Sequence, residues 1–307
     1  MAFTPKELTW AGLGKETAWG TAVNPTYYVP FKDVKPEDVI GYVTDNGIRG
    51  AMAHDYNVLA GPSHGTFDIS GEAFPDSLGL LLLAIMGQDT VTGTSPYTHS
   101  FALARTSQPP SLTASYYDGP YERQWSGQVL EEVSLKWAAN AALEYSAKSQ
   151  GNPSATTTTG TPSPTSAVPF MSWAFTATLG GTSRLNVVGF DLSLKRKLYV
   201  QHAANNTQKP TAVIALPLEV TGKVTFDKMD DTELADFLNN SQPSLVFTGT
   251  QAATGYGITI QMSKCAFSKG SVTGKDVVQL DIDYKGIDNT TDGGPSLIKL
   301  INGVSSY

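Results

Sequence analysis

The sequence predicts a mainly β protein: a sandwich of antiparallel strands with a short flanking helix, duplicated in tandem because the pattern itself recurs. Three observations carry this. Charged residues are only 16% of the chain, while Gly numbers 29 and Pro 18, a composition of many turns and few solvated helices. Residues 214–227 alternate. Leu216, Leu218, Val220, Val224 and Phe226, with Gly222, fall on one face; Pro217, Glu219, Thr221, Lys223, Thr225 and Asp227 fall on the other. The period then changes, and Leu234, Phe237 and Leu238 follow at helical spacing, with Asp230 and Asp231 as acceptors for the free amides at the helix start.

Taken in order, residues 1–30 are rich in Gly, Thr and Pro and read as an extended N-terminal arm. Its Trp10, Trp19, Tyr27 and Tyr28 require burial against the body or a neighbouring subunit. Residues 39–50 read as a strand pair broken at Asp45-Asn46-Gly47. Residues 66–72 alternate, and Asp76 or Ser77 caps a helix at 78–86 that Gly87 ends. That helix is apolar nearly all round, so it is expected to be buried on more than one side. Strands follow at 98–103 and 112–117. In 127–137, Val133, Leu135 and Trp137 oppose Glu132, Ser134 and Lys136. Residues 138–145 fit either a continued strand or a helix.

Residues 149–169 are Thr-, Ser- and Pro-rich and read as a linker or surface loop. Beyond them, 170–179 and 187–200 are strands, the second with Phe190, Leu192 and Leu194 against Asp191, Ser193 and Lys195. The run Lys195-Arg196-Lys197 reads as a solvated strand end. After the 214–240 unit come strands at 244–248, 256–262 and 277–284, a polar turn at 288–294 and a C-terminal tail.

The halves echo each other. VIGY at 39–42 answers VVGF at 187–190, Ile69-Ser70-Gly71 answers Val220-Thr221-Gly222, and Trp137 answers Tyr284. The expected organisation is an arm (1–30), a first module (31–148), the linker (149–169), a second module (170–288) and a tail (289–307), each module of ordinary domain size.

No motif demands catalysis, a cofactor or a metal. His54, His64, His99 and His202 lie at no ligand spacing, and no P-loop or nucleophile elbow occurs. The one cysteine, Cys265, lies among apolar neighbours and reads as a small buried hydrophobe. The alternating acids Asp281 and Asp283, and Asp68 and Glu72, read as the wet face of strands. No secretory signal is apparent and the longest apolar run is too short to span a bilayer, which points to synthesis in a cytoplasm without membrane insertion. A net charge of 21 − 28 = −7 argues against a sequence-independent grip on nucleic acid.

The opening Gly14-Lys15-Glu16-Thr17-Ala18-Trp19-Gly20-Thr21-Ala22, with Pro25, resembles that of tail tube (major tail) proteins of long-tailed bacteriophages. Asp191-Leu192-Ser193-Leu194-Lys195-Arg196-Lys197 and Leu218-Glu219-Val220-Thr221-Gly222-Lys223 are also similar to that family. The resemblance implies a tail-tube-like sandwich with a long β-hairpin, which self-assembles edge to edge into rings of six modules. Either six chains or three duplicated chains would make such a ring. Rings stack into a virion tube with an acidic lumen that passes DNA without binding it. A tape measure protein inside, and terminator and distal tail proteins at the ends, are the implied partners. Glu132, Asp281 and Asp283 are the candidate lumen acids, and Trp10, Trp19, Tyr27 and Tyr28 the candidate assembly arm. The alternative is a carbohydrate- or receptor-binding sandwich presenting Tyr116, Tyr117 and Tyr121.

Overall fold

The structure is a computed structural model that describes residues 4–228, 231–274 and 276–307. In chain order its strands and helices are β1 (Trp10–Lys15), β2 (Tyr27–Tyr28), β3 (Asp33–Asp45), β4 (Asn57–Glu72), α1 (Leu78–Met86), β5 (Gly87–Thr92), β6 (Tyr97–Leu103), β7 (Leu112–Tyr117), β8 (Glu122–Ala138), β9 (Glu144–Gly151) and β10 (Ala155–Thr157). There follow β11 (Phe175–Leu179), β12 (Thr182–Arg184), β13 (Val187–Gln201), β14 (Ala212–Asp227), α2 (Thr232–Leu238), β15 (Leu245–Gln251), β16 (Tyr256–Met262), β17 (Cys265–Gly274), β18 (Val278–Gly286) and β19 (Leu297–Asn302).

Two antiparallel sheets enclose one core. The smaller runs β12-β11-β15-β16-β19-β6-β5. The larger branches at β8, whose first half pairs with β7 and β10 and whose second half pairs with β9 and β13. Its main run is therefore β3-β4-β9-β8-β13-β14-β18-β17. Alternation explains the layering: Phe67, Ile69, Val133, Leu135, Phe190, Leu192, Val220, Val224 and Ile282 all face inward and are buried. Phe190 meets Phe247 of the smaller sheet with ring centroids 4.1 Å apart, and Trp137 meets Phe175 at 5.8 Å. Helix α1 is buried along its whole length, as its apolar sequence requires, and ends at Gly87 with φ 92°.

The main run contains the same order twice. Hairpin β3–β4 is followed by β9 and β8; hairpin β13–β14 is followed by β18 and β17. In each set a glycine of the second hairpin strand lies opposite a tyrosine: Gly71 opposite Tyr145 and Gly222 opposite Tyr284. Each tyrosine reaches over its glycine to donate to a main-chain carbonyl, Tyr145 to Pro30 at 3.0 Å and Tyr284 to Asp191 at 2.8 Å. The counterpart of Tyr284 is thus Tyr145 and not Trp137. VIGY and VVGF also fail to correspond, since 39–42 lies toward the hairpin tip and 187–190 at the hairpin base.

Several local expectations change. The face of β14 switches near Pro217: Val213 and Ala215 are buried while Leu216 is exposed. Opposite Lys197 the register shifts between Arg196 and Leu198, a bulge that accommodates a proline lacking its N–H. Arg196 is buried rather than solvated. Its Nε donates to the Ile85 carbonyl in the last turn of α1 at 2.9 Å, and its Nη1 to the Leu216 carbonyl at 3.1 Å. Asp230 lies outside the described residues. Asp231 makes no side-chain cap bond and instead pairs with Lys228 at 2.6 Å. Ser77 likewise makes no cap bond to α1. Strand β8 runs through Ala138, residues 139–143 connect it to β9 with Asn140 at φ 66°, and β9 begins at Glu144.

Candidate assembly surfaces and the polar sheet face

The N-terminal segment is woven into its own chain. Strand β1 pairs along its length with β7, and β2 pairs with β1. Trp10 is buried between Tyr28 and Tyr117. Trp19 donates from Nε1 to the Gly127 carbonyl at 3.1 Å. The anchor is Glu16, a buried carboxylate that the sequence did not single out. Its Oε1 accepts from Thr113 Oγ1 (2.8 Å) and Gly127 N (2.7 Å), and its Oε2 from Ser111 Oγ (2.6 Å) and Gly20 N (2.9 Å). Gly127 sits at φ 65° directly under the Trp19 ring. The Gly-Lys-Glu-Thr-Ala-Trp-Gly stretch is therefore a staple joining the segment to β7 and β8.

Between this segment and residues 162–164 lies an open groove of about 620 Å³, walled by Leu8, Trp10, Tyr28, Phe31, Pro162 and Pro164 with Lys6 and Glu7 at its rim. The 149–169 stretch follows the same edge: Ala155–Thr157 pairs with the start of β8, and Gly160 N donates to Glu122 Oε2 at 2.7 Å.

The two hairpins differ in exposure. The β13–β14 end is held by its own chain: Val213 and Ala215 pack with Val129 and Trp19, and Gln108 both donates to and accepts from the Ala215 main chain. Gln208 bonds the β4 main chain at Ala60 and Ser63, and beyond that point the β3–β4 end is bare, with Tyr42, Val43, Ile48, Met52, Val58 and Leu59 exposed. The free long hairpin is thus the first one, although 214–227 has the cleaner sequence pattern. Strands β3 and β17, at the two ends of the main run, each pair with one neighbour among the described residues. Helix α2 packs on β17, with Phe237 against Gly270, as α1 packs on β8. The C-terminal stretch is no loose tail: β19 lies between β16 and β6, and Tyr307 is buried against Gly79 of α1.

The outward face of the main run is polar and ordered. Four adjacent strands carry acid-x-Ser/Thr-x-Lys: Glu144-Tyr-Ser146-Ala-Lys148 on β9, Glu132-Val-Ser134-Leu-Lys136 on β8, Asp191-Leu-Ser193-Leu-Lys195 on β13 and Glu219-Val-Thr221-Gly-Lys223 on β14. Antiparallel pairing sets the hydroxyls opposite one another, so acids and lysines alternate above and below. One row reads Lys35, Asp68, Lys148, Glu132, Lys195, Glu219 across six strands. The other reads Glu144, Lys136, Asp191, Lys223, Asp283, Lys269.

All three acids expected at the lumen share this face, and each has a basic neighbour. Glu132 accepts from Lys148 at 3.2 Å and from Ser193 at 2.9 Å; Asp281 faces Lys223 at 3.5 Å; Asp283 lies in register between Lys223 and Lys269. Burial pushes the Glu132 carboxyl up, but the Ser193 hydroxyl and the Lys148 ammonium more than offset it and hold the group below its usual value. Asp68 is raised, because burial outweighs its lysines. The three acids are thus members of a mixed lattice.

Nothing in the described residues groups three metal-ligating side chains. Cys265 is buried, and burial pushes its thiol up to about 12. Tyr116 and Tyr117 pack against Phe31 and Trp10, which leaves Tyr121 as the exposed member of that trio. No helix of the described residues is long and apolar enough to cross a membrane.

A family model described as phage tail tube protein matches residues 11–286, nearly the whole chain. The chain belongs to the phage tail tube protein family. No curated protein matches it. As a tail tube protein it is a structural component of the virion tail that assembles with copies of itself and other tail proteins. The match takes in the Glu16 staple and the whole main run of strands, and ends before β19.

Proposed function

We propose that this tail tube protein is a tandem two-module subunit, that three chains close a six-module ring, and that stacked rings conduct DNA through a bore lined by the polar sheet face. The modules correspond to 31–148 and 170–288, with the flanking segments built onto them. One observation carries the reading. Within the chain, the last strand of one four-strand set, β8, pairs with the first strand of the next, β13, over Gly189–Lys195 and Glu132–Ala138. This head-to-tail contact leaves an open β3 edge at one end and an open β17 edge at the other. Repeating it between chains, β17 to β3, closes a ring.

Size supports three chains. Eight strands per chain give twenty-four in the ring. At ~4.8 Å spacing and ~40° tilt these close at roughly 50 Å across the backbone, leaving room inside for a DNA duplex of about 20 Å. Six such chains would double that width. Glu132, Ser193, Asp281 and Asp283 then face the bore.

Stacking follows from the two bare apolar surfaces. Phe31 walls the groove and Asp45 ends β3, which places groove and hairpin tip about 45 Å apart along one strand. Surfaces at opposite ends of a subunit suit the next ring up, tip into groove. The N-terminal aromatics Trp10 and Tyr28 act in assembly by shaping that groove, while Tyr27 packs against Tyr307 of its own chain. Assembly takes place in the host cytoplasm, a tape measure protein occupies the bore, and terminator and distal tail proteins close the ends. The protein has no catalytic role.

Cysteine labelling tests the bore. Ser193→Cys adds a reactive thiol at the centre of the polar face, against a background of one buried cysteine. A polymer-linked maleimide should label the free subunit and fail to label intact tubes, whereas a small maleimide labels both. Equal labelling of tubes by the bulky reagent would place this face outside and overturn the reading.

A further inference from the structure

We propose that the polar sheet face is a self-neutralised sliding surface for a polyanion, in which each lysine is masked by a carboxylate of the neighbouring strand. The inference rests on the tube reading for its setting, since that reading brings DNA to this face. It departs from an acidic bore that repels by net charge.

The sequence repeat dictates the masking. Acid-x-Ser/Thr-x-Lys places opposite charges four residues apart on one strand face, with a small hydroxyl between them. Two antiparallel copies with their hydroxyls in register bring each acid opposite a lysine on both sides of the hydroxyl row. The same repeat in parallel strands would set like charges side by side. In the row from Lys35 to Glu219 each lysine has a carboxylate beside it. Direct contacts support the pairing: Lys148 to Glu132 at 3.2 Å, and Lys285 to Glu219 at 2.6 Å. Where β4 departs from the repeat and ends on Glu72, beside Glu144, Lys32 bridges the two acids at 3.2 and 2.8 Å.

A phosphate approaching such a surface meets a lysine already held by a carboxylate within one strand spacing. Opposed charges this close produce a field that falls off faster than that of either charge alone, and salt shortens its reach further. Affinity for DNA comes largely from lysines and arginines that release counterions from phosphates. A masked lysine makes little of that contribution. The hydroxyl row between the charged rows adds donors without charge. The surface therefore wets and passes a polyanion while holding it at no fixed site.

Unmasking tests the proposal on the free full-length subunit, with a fluorescent duplex DNA of mixed sequence and anisotropy as the readout. The wild-type chain should show no salt-dependent binding. Asp68→Asn, Glu132→Gln and Glu219→Gln combined remove the in-register or contacting carboxylates of Lys148, Lys195 and Lys285, while Lys35 keeps Asp33 of its own strand at 3.3 Å. Binding should then appear with a log–log salt slope of about −3, or about 20-fold tighter for a threefold drop in salt. Wild-type binding with a similar slope would show that the lysines are not masked. A triple variant that keeps its circular dichroism and binds no better than wild type would show that they cannot be reached. Either result overturns the proposal. Should the triple variant misfold, Glu219→Gln alone at an exposed position frees Lys285, and a slope near −1 is expected; a flat response there is equally fatal. None of these arms requires a tube, so the Ser193 labelling can fail or succeed independently.

Discussion

Glu16→Ala is expected to loosen the whole N-terminal segment from the body. The Glu16 carboxylate is 6% exposed and accepts four hydrogen bonds, two from main-chain N–H groups and two from hydroxyls. The Ser111 and Thr113 hydroxyls can rotate toward other acceptors. Gly20 N and Gly127 N cannot, and a buried donor left without a partner costs ~1–3 kcal/mol. Two such donors, with the lost charge-assisted bonds, give about 3–5 kcal/mol, a large part of an ordinary domain's ~5–15 kcal/mol. Urea unfolding of the free subunit, followed by tryptophan fluorescence, should show the midpoint falling sharply. Protease cleavage within residues 16–26 should appear under native conditions, because Trp19 loses its seat beside Gly127. Glu16→Gln should fall between, since an amide keeps one oxygen but turns an NH2 toward donors. A midpoint within experimental error of wild type for the alanine variant would refute the staple. Removing residues 4–28 should likewise unfold the first half of the chain rather than release a free monomer.

Three further outcomes are expected. Tyr145→Phe and Tyr284→Phe each remove one hydroxyl donated to a main-chain carbonyl in matching places, so each should cost about 1 kcal/mol in denaturant unfolding; a large inequality would argue against equivalent modules. Gly79→Ala places a methyl group where the Tyr307 ring lies, so it should destabilise the intact chain by about 1–3 kcal/mol and a chain lacking Tyr307 far less, a coupling that a double-mutant cycle measures. The Glu132 carboxyl is held below its usual value, so its contribution to stability is present above the unfolded value and lost as pH falls through the folded one. Glu132→Gln should therefore shrink the drop in melting temperature on acidification, and an unchanged acid limb would contradict the Lys148–Ser193 pairing.

Much of the architecture was legible in sequence. The period of two located β8, β13, β14 and β18, and an unbroken apolar run before glycine located α1, because each signal depends on neighbours a few residues apart. What escaped depends on distant partners. Nothing in GKETAWG announces that Glu16 meets Ser111, Thr113 and Gly127. Arg196 looks solvated among lysines, yet the bulge at Pro217 and the carbonyl end of α1 draw it inward. The last strand, β19, reads as a tail since its partners β16 and β6 lie far back in the chain. The polar face was available in the sequence as four copies of acid-x-Ser/Thr-x-Lys. Its meaning required the register, which showed Glu132, Asp281 and Asp283 with basic neighbours. The sequence echo falls on VIGY and VVGF, while the matching features of the two halves are the paired Gly71–Tyr145 and Gly222–Tyr284.

In the proposed ring one chain supplies two modules, and the β8–β13 contact is repeated as β17 to β3 between chains. Electron cryomicroscopy of assembled tubes tests this most directly through the rotational symmetry of a single ring. Threefold symmetry is expected, with six similar modules around the bore and three chains per ring. A ring of six chains, or one in which the β3 and β17 edges stay unpaired, would contradict the account.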